Sequence, residues 1–331
     1  MTFKYNDVYV EETATIVGPY EKRGPLSKYF DKAYEDFYFG EESFEKAEVK
    51  LIEDSIETLL TKIKKKKEDI NVLIAGDLLN QIAASNYAAL KHKIPFLGIY
   101  SACATSVEGI IIASSMIDAK KINNAIAATS SHNLSSEKQF RQPVEYGAPK
   151  PNTASFTATG AGSILLSNSK TNIKIESSTI GEVTDLNQND PNNMGAAMVP
   201  AAAHTINKHL KDLNREVGYY DLILTGDLGA IGKEILIDHI RNEYALDLTK
   251  NYDDCGNLLY DRENQENVLA GGGGPGTSAI VTYGYIIKMM KEKKYKKVLL
   301  VATGALFSPT LLFQKENILS IAHAVSLEVV E

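Results

Sequence analysis

From Phe44 to Ile63 the apolar side chains fall at Phe44, Ala47, Leu51, Ile52, Ile56, Leu59, Leu60 and Ile63. That spacing predicts a helix with one buried face. It closes in the cations Lys64 to Lys67, which suit the negative end of a helix dipole. Val72 to Ala75 is apolar at every position, as expected of a strand covered on both faces. A helix over about Gln81 to His92 follows, then a strand over Pro95 to Tyr100. Next come a helix running to about Ala119 and a strand over Ala125 to Ala128. Strands alternating with helices predict parallel sheet with crossover helices. Ser130 to Thr153 breaks the pattern, being polar and rich in Arg, Lys, Glu and Tyr. A stretch of that length reads as a loop insertion, either functional or a surface or dimer arm. Gly160 to Ser167 and Ile173 to Val183 read as sheet-closing strands. The second half repeats the order, with helices over Ala196 to Leu210, Lys233 to Tyr244 and Thr277 to Lys291. Its strands are expected over Leu222 to Thr225, Val298 to Ala302 and Ala324 to Val330. Thr249 to Gln265 reads as irregular.

The halves also resemble each other residue by residue. Val72-Leu73-Ile74-Ala75-Gly76-Asp77-Leu78 returns as Leu222-Ile223-Leu224-Thr225-Gly226-Asp227-Leu228. Cys103-Ala104-Thr105-Ser106 opens one apolar helix and Pro275-Gly276-Thr277-Ser278 another. Ala128-Thr129 matches Ala302-Thr303. Three matches in one order indicate two copies of one α/β unit, divided here as 1–170 and 171–331. The functional site is then expected where the copies meet. Because Asp77 and Asp227 occur in both, they read as structural, capping the turn that follows each.

Composition narrows the function. The 331 residues suit two such units, and 44% hydrophobic with 23% charged residues is ordinary for a globular protein. A formal net charge of −7 argues against nucleic acid as a main partner. No apolar run approaches the length of a spanning helix, and the N-terminus has no signal-peptide pattern. Lys291-Glu292-Lys293-Lys294 mirrors Lys64 to Lys67; both read as solvated helix ends, with contact to an anionic membrane surface as the alternative. The two cysteines, Cys103 and Cys255, form neither a disulfide framework nor a zinc spacing. No EF-hand or other metal motif is present. The run Gly271 to Gly276 is not followed by the lysine of a P-loop, and its overlapping glycines meet a dinucleotide fingerprint only trivially.

Cys103 is the strongest candidate for chemistry. It follows a strand and opens a helix, where backbone N–H groups and the positive dipole end are expected to lower the thiol pKa. Cys255 reads as a turn cysteine, with a pocket role left open.

Ser101-Ala102-Cys103-Ala104-Thr105-Ser106, followed by an apolar helix, resembles the nucleophile turn of the thiolase and β-ketoacyl synthase superfamily. A narrower resemblance rests on Val17-Gly18-Pro19, Glu21-Lys22, Gly24-Pro25-Leu26, Ala75 to Gln81 and Ala128 to Asn133. It extends through Glu137 to Arg141, Pro143, Glu145-Tyr146-Gly147 and Asp253 to Gly256. On these the chain is similar to the stage V sporulation protein AD (SpoVAD) family, a non-catalytic branch of that superfamily. The resemblance implies a thiolase-like five-layer αβαβα fold, two pseudo-repeated halves each with a mixed, mostly parallel sheet. It implies binding of dipicolinic acid (pyridine-2,6-dicarboxylate) or its calcium chelate, and a part in its uptake into the developing spore. It implies a peripheral place on the spore inner membrane, beside the other proteins of the dipicolinate channel complex, and it leaves homodimerisation open. No cofactor is implied; calcium would travel with the ligand.

The departures from the enzymes bear on catalysis. Condensing enzymes of the superfamily pair the cysteine with His and Asn, or two His, from the second half. At the corresponding places this chain has Gly226-Asp227 and Gly273-Gly274-Pro275-Gly276. General acid–base and oxyanion contributions are each worth roughly 10²–10³-fold or more. The expectation is therefore a silent site with Cys103 a vestigial nucleophile. The expected ligand contacts are Cys103, Ala104 and Thr105, with Gly273, Gly274 and Gly276 opposite, and His132, Asn133 and Arg141 as side-chain donors. An acyl-transfer enzyme using Cys103 and a scaffold with a vestigial pocket are the alternatives.

Overall fold

The computed structural model describes residues 1–140 and 149–330; Arg141, one of the expected ligand donors, lies outside them. In the first half the strands lie side by side in the order Tyr9–Val17, Gly160–Ser167, Asn124–Ser131, Leu73–Gly76, Phe96–Gly98. In the second half the order is Ile173–Thr179, Leu319–Val329, Lys297–Leu306, Leu222–Thr225, Tyr252–Asp254. The two orders are the same when each half is read along the chain. Gly160–Ser167 and Leu319–Val329 each run against both neighbours, so the other four strands of each row point one way. Tyr9 pairs with Lys174, joining the two sheets edge to edge.

Strand alternation builds the layers. Leu73 and Ala75 face outward onto the helix Phe44–Ile63, through Leu51, Ile52, Ile56 and Leu59. Ile74 faces inward, with Ala125 and Ala127, onto Val107, Ile110 and Ile111 of the helix Thr105–Asp118. In the second sheet Ile223, Leu299 and Val301 pack outward onto the helix Met194–Asp212, while Leu224, Val298 and Leu300 face the same middle layer. A strand with apolar side chains on both faces gains burial from two directions, so Leu73–Gly76 and Leu222–Thr225 carry no polar alternation. Five layers result: helices, sheet, helices, sheet, helices.

The middle layer holds the repeat's axis. The Thr105–Asp118 helix packs beside its counterpart, which runs as Pro275–Ile280, a π-helical stretch Val281–Ile286 and Ile287–Lys291. Ser106 and Ser278, equivalent residues of the two copies, hydrogen-bond to each other at 2.7 Å. Equivalent residues can touch only near a pseudo-two-fold axis. The segments that precede these helices, at Cys103 and Gly274, therefore meet at the same end of the layer.

Three expectations need correction. The polar stretch from Ser130 is not a loop at its start: the strand runs to Ser131 and Asn133–Phe140 is a helix. Thr249 to Gln265 contains the short strand Tyr252–Asp254 and the helix Cys255–Leu259, capped by Asp254 Oδ1 on Asn257 N–H. Both elements are too short to show a period. Third, the helix expected from Gln81 begins at Ala83, after Gln81 (φ 56°) and Ile82 (φ 51°) in left-handed conformation. Cys255 is fully buried in the core, at the start of its helix.

The repeated glycines differ in their surroundings, and this is testable. A Cβ on Gly76 would lie 2.1 Å from the Ile99 carbonyl oxygen, whereas on Gly226 its nearest neighbour is Thr303 N at 3.0 Å. Gly76→Ala is expected to cost about 3 kcal/mol or more and Gly226→Ala about 1 kcal/mol. Equal losses in urea denaturation would contradict this packing.

Candidate functional site

The backbone at Cys103 is held from several sides. Ala102 takes a left-handed conformation (φ 47°), which lifts Cys103 clear of the strand and ahead of the first helical residue, Thr105. Thr105 Oγ1 donates to the Ala102 carbonyl at 2.7 Å and accepts from Ser101 N–H at 3.0 Å. Ser101 Oγ bonds His323 Nε2 at 3.2 Å. Gly304 lets the neighbouring strand approach, since a Cβ there would lie 2.5 Å from the Ser101 carbonyl oxygen.

Asp227 faces Cys103. Both residues line one cavity, and the Asp227 carboxylate raises the thiol's pKa. The same carboxylate accepts from Thr303 Oγ1 at 2.8 Å and from Gly274 N–H at 3.0 Å. Gly274 and Ala305 line the same cavity. Gly274 has φ 86°, and a Cβ there would lie 2.9 Å from Thr157 Cγ2, so glycine is needed for the turn to bring its N–H inward. Burial is the largest influence on both titrating groups. It pushes the Cys103 thiol well up, helped by the Asp227 charge, and raises Asp227 to about 6.

The expected lowering of the Cys103 pKa is thus reversed. The helix start is present, but burial outweighs it and the charge acting on the sulfur is negative. Asp227 is not the turn cap that the repeat implied either. Asp77 does that work: it accepts from Leu79 N–H at 2.9 Å and from Ser85 N–H and Oγ at 2.8 and 2.7 Å. Its copy in the second half has been turned toward the interface.

A cavity of about 60 Å³ lies above the pair. At roughly 10–15 Å³ per water by this measure, it holds a handful of waters or one small molecule. Its walls are apolar: Leu78, Tyr100, Phe140, Phe307, Met194 and Met198. The Phe140 and Phe307 rings lie 5.8 Å apart. Ser136, Glu137, Ser155 and Thr157 supply polar atoms, and the lining among the described residues contains neither histidine nor asparagine. The cavity continues past Leu78, Tyr100, Phe140 and Phe307 into an open groove of about 460 Å³.

Of the expected ligand contacts, Cys103 and Gly274 line this cavity. Ala104 and Thr105 are buried beneath the turn. Gly273 packs on Ser155, and Gly276 on Ser131 and the Gly160 carbonyl. His132 points elsewhere: its Nε2 donates to the Phe37 carbonyl at 2.8 Å and its ring sits among Phe37, Phe39 and Phe44. Burial lowers its pKa to about 4, so it is a neutral core histidine. Asn133 is engaged with Thr159 Oγ1 and the Thr157 carbonyl. Sequence reasoning missed the apolar walls and Ser136, whose spacing carries no motif.

The sequence profile of the family described as "Stage V sporulation protein AD (SpoVAD)" matches residues 1–328. Stage V sporulation protein AD of Bacillus subtilis (strain 168) is 48% identical over 321 residues, covering 97% of this chain and 94% of that protein. The chain belongs to the stage V sporulation protein AD family. Its thiolase-like fold is shared with solved structures. A single-substitution variant of OleA from Xanthomonas campestris superposes with a TM-score of 0.63 at 12% identity, over 98% of this chain and 99% of that one. The 3-oxoacyl-[acyl-carrier-protein] synthase III of Aquifex aeolicus VF5 gives 0.59 at 12% identity, over 97% and 99%. The sporulation family's name states no reaction. Among the described residues of this family member no helix is long and apolar enough to cross a membrane.

Two outcomes follow from the Cys103–Asp227 pair. Asp227→Asn removes the negative neighbour, so the thiol pKa falls and iodoacetamide labels Cys103 severalfold faster at pH about 8; an unchanged or slower rate would remove Asp227 from the thiol's environment. Burial makes the folded state hold the Asp227 proton more tightly than the unfolded chain, whose carboxyl titrates near 3.8. That stability is fully present below about 4 and is lost as pH rises through about 6. Relative to the parent, Asp227→Asn should therefore gain on the order of 2 to 3 kcal/mol between those limits, read from denaturation at several pH values.

Proposed function

We propose that this protein binds pyridine-2,6-dicarboxylate, free or as its calcium chelate, takes part in its uptake into the developing spore, and does not turn it over. The observation that carries the reading is the cavity at Cys103. Its floor is formed by Cys103, Gly274 and Ala305, and its walls are aromatic rings and thioethers. The Cys103 turn offers a place for one carboxylate of the ligand, while Phe140, Phe307, Met194 and Met198 suit a flat aromatic ring. The enclosed part, about 60 Å³, suits a small molecule. A peripheral place on the spore inner membrane, beside integral partners, belongs to the same reading.

The charge of the cavity adds a condition. Asp227 is mostly ionised at neutral pH and would repel a dianion. Binding therefore brings either a proton to Asp227 or a cation with the ligand. Calcium serves as part of the cargo here, and its charge offsets both carboxylates.

One observation favours a second reading, acyl transfer through Cys103. Asp227 lines the cavity with Cys103 and titrates near 6, within the range of a general base. Against it stand the raised thiol pKa and the lack of an imidazole in the described lining. Mass spectrometry after incubation with acyl-CoA separates the two: a covalent acyl group on Cys103 would favour the enzyme.

Calorimetric titration with dipicolinate tests the first reading. Saturable binding is expected, with benzoate rejected and Cys103→Ala weakened. For the metal-free acid the affinity should rise as pH falls from about 8 to about 6, because protonating Asp227 removes a like charge. The calcium chelate should show a shallower slope. Absence of binding by either form would move the weight to a scaffold that only docks on membrane partners.

A further inference from the structure

The Asn133–Phe140 helix places a buried serine with an unpartnered hydroxyl on the cavity wall. Ser136 is 3% exposed and lines the cavity together with Phe140, one helical turn along. Its Oγ is buried and has no hydrogen-bond partner in the protein among the described residues. Neighbouring hydroxyls behave differently. Ser135 Oγ donates to Glu48 at 2.6 Å, Ser131 Oγ to the Ala158 carbonyl at 2.7 Å and Thr303 Oγ1 to Asp227 at 2.8 Å. Burying a hydroxyl without a partner is unfavourable, and one aimed into a cavity is satisfied when something polar fills it.

We propose that Ser136 contacts the ligand directly and reads its second carboxylate, so that the site distinguishes a diacid from a monoacid. This rests on the dipicolinate reading of the cavity. One carboxylate sits at the Cys103 turn, where Cys103, Gly274 and Ala305 line the cavity. Ser136 enters from a different element, the Asn133–Phe140 helix of the first half. A rigid ring with carboxylates on both sides can engage both groups at once. A ring with one carboxylate engages only the first.

The test compares the full chain with Ser136→Ala, titrating each with pyridine-2,6-dicarboxylate and with pyridine-2-carboxylate. In the variant the affinity for the diacid is expected to fall about tenfold or more, the cost of losing a hydrogen bond to a charged group. Binding of the monoacid, weaker from the outset, stays as it was. The melting temperature of Ser136→Ala is unchanged or higher, because the removed hydroxyl had no partner in the free protein. Equal losses for both acids would overturn the proposal, as would a large drop in melting temperature, which marks a structural role. If the parent chain binds the diacid and the variant binds it equally well, the Ser136 contact fails while the dipicolinate reading stands. If the parent chain binds neither acid, both fail together.

Discussion

The contact between two equivalent helices in a dry middle layer determines most of this molecule. Ser106 and Ser278 meet at 2.7 Å because each copy of the α/β unit must bury the inner face of its sheet against the other. Once the helices abut there, the turns at their N-terminal ends converge. The site at Cys103 is thus a consequence of packing, and its position is fixed before any chemistry is chosen. A low-dielectric layer then sets the terms for every polar group within reach. Unpaired charge is costly there, so Asp227 takes two fixed hydrogen bonds and still titrates near 6.

The two copies of the Gly-Asp-Leu turn make different contacts, and the cavity is asymmetric as a result. Asp77 and Asp227 hold equivalent places in the repeated Gly-Asp-Leu segment. In the first half the carboxylate closes on Leu79 and Ser85, and the turn is purely structural. In the second half Asp254 has taken over that work: it accepts from Leu228 and Gly229 N–H at 2.9 Å each and from Thr225 Oγ1 at 2.7 Å. Relieved of its capping duty, Asp227 can face the sulfur. A thiol beside a buried carboxylate is a poor nucleophile at neutral pH, which agrees with a binding site better than with a condensing one.

Much of the fold was legible in the chain, for identifiable reasons. Strands covered on both faces read as continuous apolar runs, and the Phe44–Ile63 helix showed its full period. The repeat of Gly-Asp-Leu located equivalent strands. Elements of three to eight residues, such as Tyr252–Asp254 and Asn133–Phe140, were not legible, because polar side chains within them answer to tertiary partners. At the site, Cys103 and Gly274 were legible from the turn they make. His132 was misplaced because sequence order gives the strand end but not the direction of the ring. Asp227 was misread because a repeated residue looks structural in both copies. Ser136, Met194 and Phe307 come from three separate parts of the chain and meet only once it has folded.

Protection of Cys103 from alkylation tests the central claim most directly. Cys255 is fully buried in the core and serves as an internal control in the same digest. With the ligand seated on the Cys103 turn, saturating dipicolinate suppresses labelling of Cys103, with or without calcium, while benzoate leaves it unchanged. Undiminished labelling at concentrations where the protein is saturated would place the ligand elsewhere and contradict the assignment of this cavity.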